Sequence, residues 1–136
     1  MSRKGATMRF VEEEDWLRWR LREEVEKRRG WRFVVHTGNE PLAVQIAKFH
    51  QADIVVGPHG SATSNVLFCR GGSAVVEFPG NKHRGDSTNG LAAAAGVEYW
   101  IVPEVWTTNW GYYKMDRHKI ESVVEVVGHL MDARSK

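Results

Sequence analysis

The ten residues from Asp53 to Ala62, Asp-Ile-Val-Val-Gly-Pro-His-Gly-Ser-Ala, constrain the chain most. Ile54, Val55 and Val56 are apolar and β-branched with no polar alternation, the pattern of a strand covered on both faces in a parallel sheet. The run stops at Gly57-Pro58-His59-Gly60, after which Ser61 to Phe68 can open a helix. Strand, glycine turn and helix start, in that order, aim backbone N–H groups and the positive end of a helix dipole at one point. Such a point suits an anion, most often a phosphate. The glycines let the backbone approach a ligand closely, and Ser61 is placed to cap the helix or donate to the ligand. The stretch is neither a G-x-G-x-x-G fingerprint nor a P-loop. The alternative reading is a capped strand-to-helix turn with no ligand.

The rest of the chain supplies the sheet around that strand. Residues 1–11 are basic and read as a loop, and 12–29 as a helix, acidic at its start and basic at its end, with Leu17, Leu21 and Val25 as its apolar stripe and Gly30 as its stop. Residues 31–36 read as a strand, 37–41 as a turn, and the next helix buries Leu42, Ile46 and Phe49. After the helix at 61–69 come a strand at 73–78, a polar loop at 79–87 and a small-residue helix at 88–95. A last strand at 97–102 leads to an aromatic loop at 103–113, which holds Trp106 and Trp110. Asp116 caps a final helix that runs to about Leu130 and turns Ile120, Val123, Val124 and Val127 inward, before a frayed tail at 132–136.

Alternating strands and helices predict one α/β domain of 136 residues, a parallel Rossmann-like sheet with helices on both faces. Ligands of such sheets bind beyond the carboxyl ends of the strands, here the loops 36–40, 57–61, 79–87 and 103–113. The net charge of +2 makes no case for nucleic acid. Cys69, beside Leu67 and Phe68, reads as a buried, inert thiol. No apolar run is long enough to span a membrane, and the first residues lack a signal-peptide pattern.

Gln45-Ile46, Ala52 to Ala62, Asn65-Val66-Leu67-Phe68 and Val75-Val76-Glu77-Phe78 together resemble glycosyltransferase family 61. That family includes the EGF-domain O-linked N-acetylglucosamine transferase and plant xylan xylosyl- and arabinosyltransferases. Ser2-Arg3-Lys4-Gly5 and Arg9-Phe10-Val11 are similar to its arginine-bearing loop, and Ala95 to Tyr99 and Tyr112-Tyr113 also fit. Glu12 departs from the pattern, standing where the family usually shows an asparagine. The resemblance implies the C-terminal, donor-binding half of a two-domain GT-B enzyme, without the domain's first strand and the N-terminal partner domain. An exposed sheet edge, an apolar patch and self-association are then expected. The implied donor is a UDP-sugar, with a glycan or glycoprotein acceptor, no cofactor and no metal. The implied compartment is the secretory lumen or the bacterial cytosol.

On this reading the diphosphate rests on the Gly60, Ser61 and Ala62 amides, helped by His59, Arg3 and Arg9. Glu77 accepts from the ribose hydroxyls, with Gly38 beside the nucleoside; the plain alternative pairs Glu77 with Lys82 or Arg84. The catalytic base is unassigned. One rival is a serine hydrolase built on Ser61, His83 and Asp86, but it lacks the G-x-S-x-G spacing. Metal pairs His83/Asp86 and Asp116/His118 are weaker still. The other rival is a nucleotide- or phosphate-binding module with no activity of its own.

Overall fold

The computed structural model describes residues 13–58, 61–78, 86–102, 106–107 and 113–134, with backbone alone at 61–64, 86–87, 106–107 and 113–114. The apolar runs of the sequence become β1 (Ile54–Pro58), β2 (Ala74–Phe78) and β3 (Glu98–Ile101). They pair in that order, all parallel, with Gly57 beside Glu77 and Val75 beside Tyr99. This is the predicted α/β architecture with an open, Rossmann-like parallel sheet.

Helices cover both faces, as the unbroken apolar strands require. On one face Ala74, Val76 and Phe78 pack against α1 (Glu14–Glu26) and α4 (Arg117–Arg134), through Leu17, Leu21, Val25, Ile120, Val123, Val124 and Val127. On the other, Val55 and Val75 meet Phe49 of α2 (Leu42–Gln51), Val66 of a 3-10 helix (Ser61–Phe68) and Ala92 of α3 (Asp86–Ala95). Cys69 lies in this second cluster, and its burial pushes the thiol up to about 11.

Polar contacts fasten α1 to α4. Arg20 forks onto Glu121, its Nε donating at 2.6 Å and its Nη2 at 2.8 Å. Arg28 donates from Nε to Asp132 at 2.8 Å, and Arg117 lies 3.8 Å over the Trp16 ring. Gly128 permits this approach: a Cβ there would sit 3.2 Å from the Arg28 guanidinium.

Several expectations are corrected. Residues 31–36 form no ladder; sequence alone shows β propensity but not whether a neighbouring strand exists to pair with. α1 ends at Glu26, and Gly30, at φ 87°, closes the turn that follows rather than the helix itself. In α2 only Phe49 is buried, while Leu42 is 65% exposed and Ile46 half-buried. Ser61–Phe68 winds as a 3-10 helix. Its opening Ser-Ala-Thr-Ser-Asn is rich in residues whose side chains compete for backbone groups and weaken an α-helix. The expected loop at 103–113 contains β4 (Trp106–Thr107), antiparallel to β5 (Tyr113–Lys114). α3 starts at Asp86, placed by sequence in the polar loop. α4 runs on to Arg134, which donates to Glu98 at 2.8 Å and to the Gly72 carbonyl at 3.2 Å, so the expected fraying at 132–134 does not occur.

Phe78 is fully buried, so Phe78→Ala is expected to cost about 3–5 kcal/mol. Arg28→Ala, which loses a surface ion pair, is expected to cost under about 1 kcal/mol. Urea unfolding of the two variants checks the order; equal losses would show that the Arg28 clamp matters as much as the sheet face.

Candidate functional site

β1 and β2 run side by side in one direction, so Pro58 and Phe78 end together. The sequence-predicted site lies around those carboxyl ends. Ser61 and Ala62 open the 3-10 helix that follows β1. Arg3, Arg9, Glu12, His59, Gly60, Lys82, His83, Arg84, Trp110 and Tyr112 lie outside the described residues.

Glu77 is the chemically distinctive residue. It stands one position from the end of β2 and is 0% exposed. On its face of the sheet it is met by two hydroxyls. Thr88, early in α3, donates to Oε2 at 2.6 Å, and Tyr99 of β3 donates to Oε1 at 2.8 Å. A desolvated carboxylate needs such donors. The strand period explains the arrangement: Val75 and Glu77 share a face, and Tyr99 is the register partner of Val75. The sequence marks Glu77 as a charge in an apolar strand, but not Thr88, which stands among the polar Asp86, Ser87 and Asn89, nor Tyr99, which follows Glu98.

The turn before α2 is braced by residues the motif contains. Gln45 donates from Nε2 to the Glu40 carbonyl at 2.7 Å and to the Gly38 carbonyl at 3.3 Å. Asn65 of the 3-10 helix donates to Gln45 Oε1 at 3.4 Å. Gly38 adopts φ 83°, with nothing within 4 Å of where a Cβ would stand, and its N–H donates to Glu40 Oε2 at 3.2 Å. Glu40 is also bound by the Lys48 ammonium, whose hydrogen bond holds the carboxyl down at about 2. Gln45 and Asn65 thus tie the turn that holds Gly38 to the helix that follows β1.

His36 is buried at 6% exposure against the edge of the Phe49 ring, 5.0 Å between centroids, and among the described residues neither ring nitrogen has a hydrogen-bond partner. Burial lowers its pKa; nearby Glu40 opposes this and Lys48 adds to it. Asp116 caps α4, its Oδ1 accepting from the Lys119 N–H at 2.8 Å, and His118 is exposed. Among the described residues no group of three or more His, Cys, Asp or Glu is placed to hold a metal. No described helix is long and apolar enough to cross a membrane.

A family model described as Glycosyltransferase 61 matches residues 1–76. The chain belongs to glycosyltransferase family 61. The match takes in the basic N-terminal stretch, α1, β1 with its glycine turn, and β2 as far as Val76, so Glu77 lies just beyond it. Neither a curated protein nor a solved structure matches the chain. Membership makes the domain part of a sugar-transferring protein, whose partners are a sugar donor and an acceptor.

Two outcomes test this geometry. Tyr99→Phe and Thr88→Val each remove a donor from Glu77 and are expected to cost about 1–3 kcal/mol in denaturant unfolding; a neutral pair would show that the bonds do not form. For His36, the unfolded chain binds a proton that the folded chain resists, so stability falls as pH drops below the ordinary histidine value of 6.5. Unfolding measured on either side of that pH should show this dependence weakened in His36→Leu, and an unchanged slope would mean that His36 is hydrated.

Proposed function

We propose that this family 61 domain is the donor-binding half of an inverting GT-B glycosyltransferase and holds a UDP-sugar. The buried Glu77 beside the β1 turn is the observation that carries the reading, because a charged group is costly in a strand otherwise wholly apolar. Thr88 and Tyr99 each donate to one oxygen of this carboxylate, and on this reading a ribose diol joins those donors when the nucleotide binds. Glu77 is covered in this structure, so nucleotide binding must uncover it. Gly38 lies beside the nucleoside on this reading, and its N–H would exchange Glu40 for the ligand.

The diphosphate takes the main-chain amides of Gly60, Ser61 and Ala62, with His59 donating and Arg3 and Arg9 supplying positive charge. These donors stabilise the charge that develops on the leaving diphosphate as the sugar–oxygen bond breaks. The acceptor hydroxyl attacks from the opposite face and gives its proton to a base that none of the described residues is assigned to be. On this reading the UDP-sugar is a substrate, and no cofactor is needed. The second reading, a nucleotide- or phosphate-binding module with no activity of its own, keeps the anion contacts, does not require the ribose contact, and lacks that base and an acceptor surface.

Titration of the ¹⁵N-labelled chain with UDP and UDP-sugars is expected to shift amides 57–62 and Glu77, with a Kd at or above about 1 mM for the domain alone. Glu77→Gln should weaken UDP but not inorganic phosphate. Phosphate binding with no preference for UDP favours the bare anion module, and silence at those amides removes both readings.

A further inference from the structure

Gly38 lies in the turn between the stretch 31–36 and α2, and its exposed N–H is the donor that the nucleotide reading calls on. That N–H already has a partner: it donates to Glu40 Oε2 at 3.2 Å. The other oxygen of the same carboxylate, Oε1, is held by the Lys48 ammonium. Lys48 is itself fixed, donating to the Val35 carbonyl at 3.1 Å. Glu40 therefore has one anchored oxygen and one that only a neutral amide holds.

A second group stands beside the less firmly held oxygen. His36 Nδ1 is 3.8 Å from Oε2, the same atom that Gly38 uses. The ring packs on the edge of Phe49. A neutral imidazole gains little from a carboxylate at that distance. An imidazolium attracts it, and a charge-assisted N–H···O bond closes to about 2.8 Å. Oε2 then travels about 1 Å, pivoting on the oxygen that Lys48 anchors. The Gly38 bond is the one that gives way, because it is the longer of the two and its donor carries no charge. Lys48 holds the Glu40 carboxyl down at about 2, so Glu40 stays ionised wherever a histidine titrates. Among the described residues the charges acting on the His36 ring are Glu40, from the turn that follows it, and Lys48 of α2. Glu14 and Arg18 of α1 line the same cavity as His36 and pair with each other at 3.1 Å.

We propose that Glu40 latches the Gly38 N–H and that protonation of His36 releases it. With His36 neutral, the carboxylate covers the donor. With His36 charged, the imidazolium withdraws the carboxylate and the donor is free. The consequence is regulation of the site by pH: nucleotide binds more tightly in acid, and bound nucleotide in turn raises the His36 pKa. That consequence rests on the nucleotide reading above; the latch does not.

The test follows the His36 ring and Gly38 amide signals of the ¹⁵N-labelled chain by NMR as pH falls. Without ligand, the Gly38 amide should move upfield with the same midpoint as the His36 ring, and Glu40→Gln should uncouple the two. A terminal phosphate titrates at about 6, so the probe is UDP-glucose, whose diphosphate is esterified at both ends. It should bind about threefold tighter below the His36 midpoint than above it, and raise that midpoint by about 0.5. A Gly38 amide indifferent to His36, or one that responds equally in Glu40→Gln, would overturn the proposal. If Glu40→Gln misfolds, the midpoints in the unaltered chain still decide. Coupled midpoints with UDP-glucose binding flat across pH, or absent, uphold the latch and remove Gly38 from the nucleotide reading instead.

Discussion

The ladder on both sides of β2 is the constraint on which the rest depends. Every residue of β2 is buried, and its neighbours β1 and β3 hold it from either edge. A strand so placed has no surface of its own, so its side chains must satisfy two different layers at once. Ala74, Val76 and Phe78 serve the α1–α4 layer, whereas Val75 serves the layer of α2, the 3-10 helix and α3. Glu77 interrupts that second layer, and the hydroxyls of Thr88 and Tyr99 are the local compensation.

That compensation links fold to chemistry. Because α3 and β3 supply its hydroxyl donors, the position of this carboxylate is set by the packing of those two elements. Gln45 plays the matching part across the sheet end, joining the turn at Gly38 to Asn65. The recognisable sequence motif therefore includes residues whose work is structural, holding the turn at Gly38 and the 3-10 helix in register.

Legibility from sequence followed local periodicity. The β-branched run at Ile54–Val56, the apolar stripe of α4 and its Asp116 cap are each specified by neighbours in the chain, and each appears as read. The stretch 31–36 has strand composition, yet strand formation needs a partner edge, which no local pattern encodes. Leu42 and Ile46 carry a helical stripe whose burial depends on how α2 sits, and only Phe49 reaches the core. The reach of α4 to Arg134 depends on Glu98 and the Gly72 carbonyl, far away in sequence. At the site, Glu77 stood out as a charge in an apolar strand, while Thr88 and Tyr99 became visible only once α3 and β3 were placed over it.

The clasp between α1 and α4 joins residues 101 and 104 positions apart, Arg20 with Glu121 and Arg28 with Asp132. β1, β2 and β3, by contrast, are consecutive in the chain and in the sheet. During synthesis α1 therefore has no mate until α4 leaves the ribosome. The sheet assembles with that side bare until then.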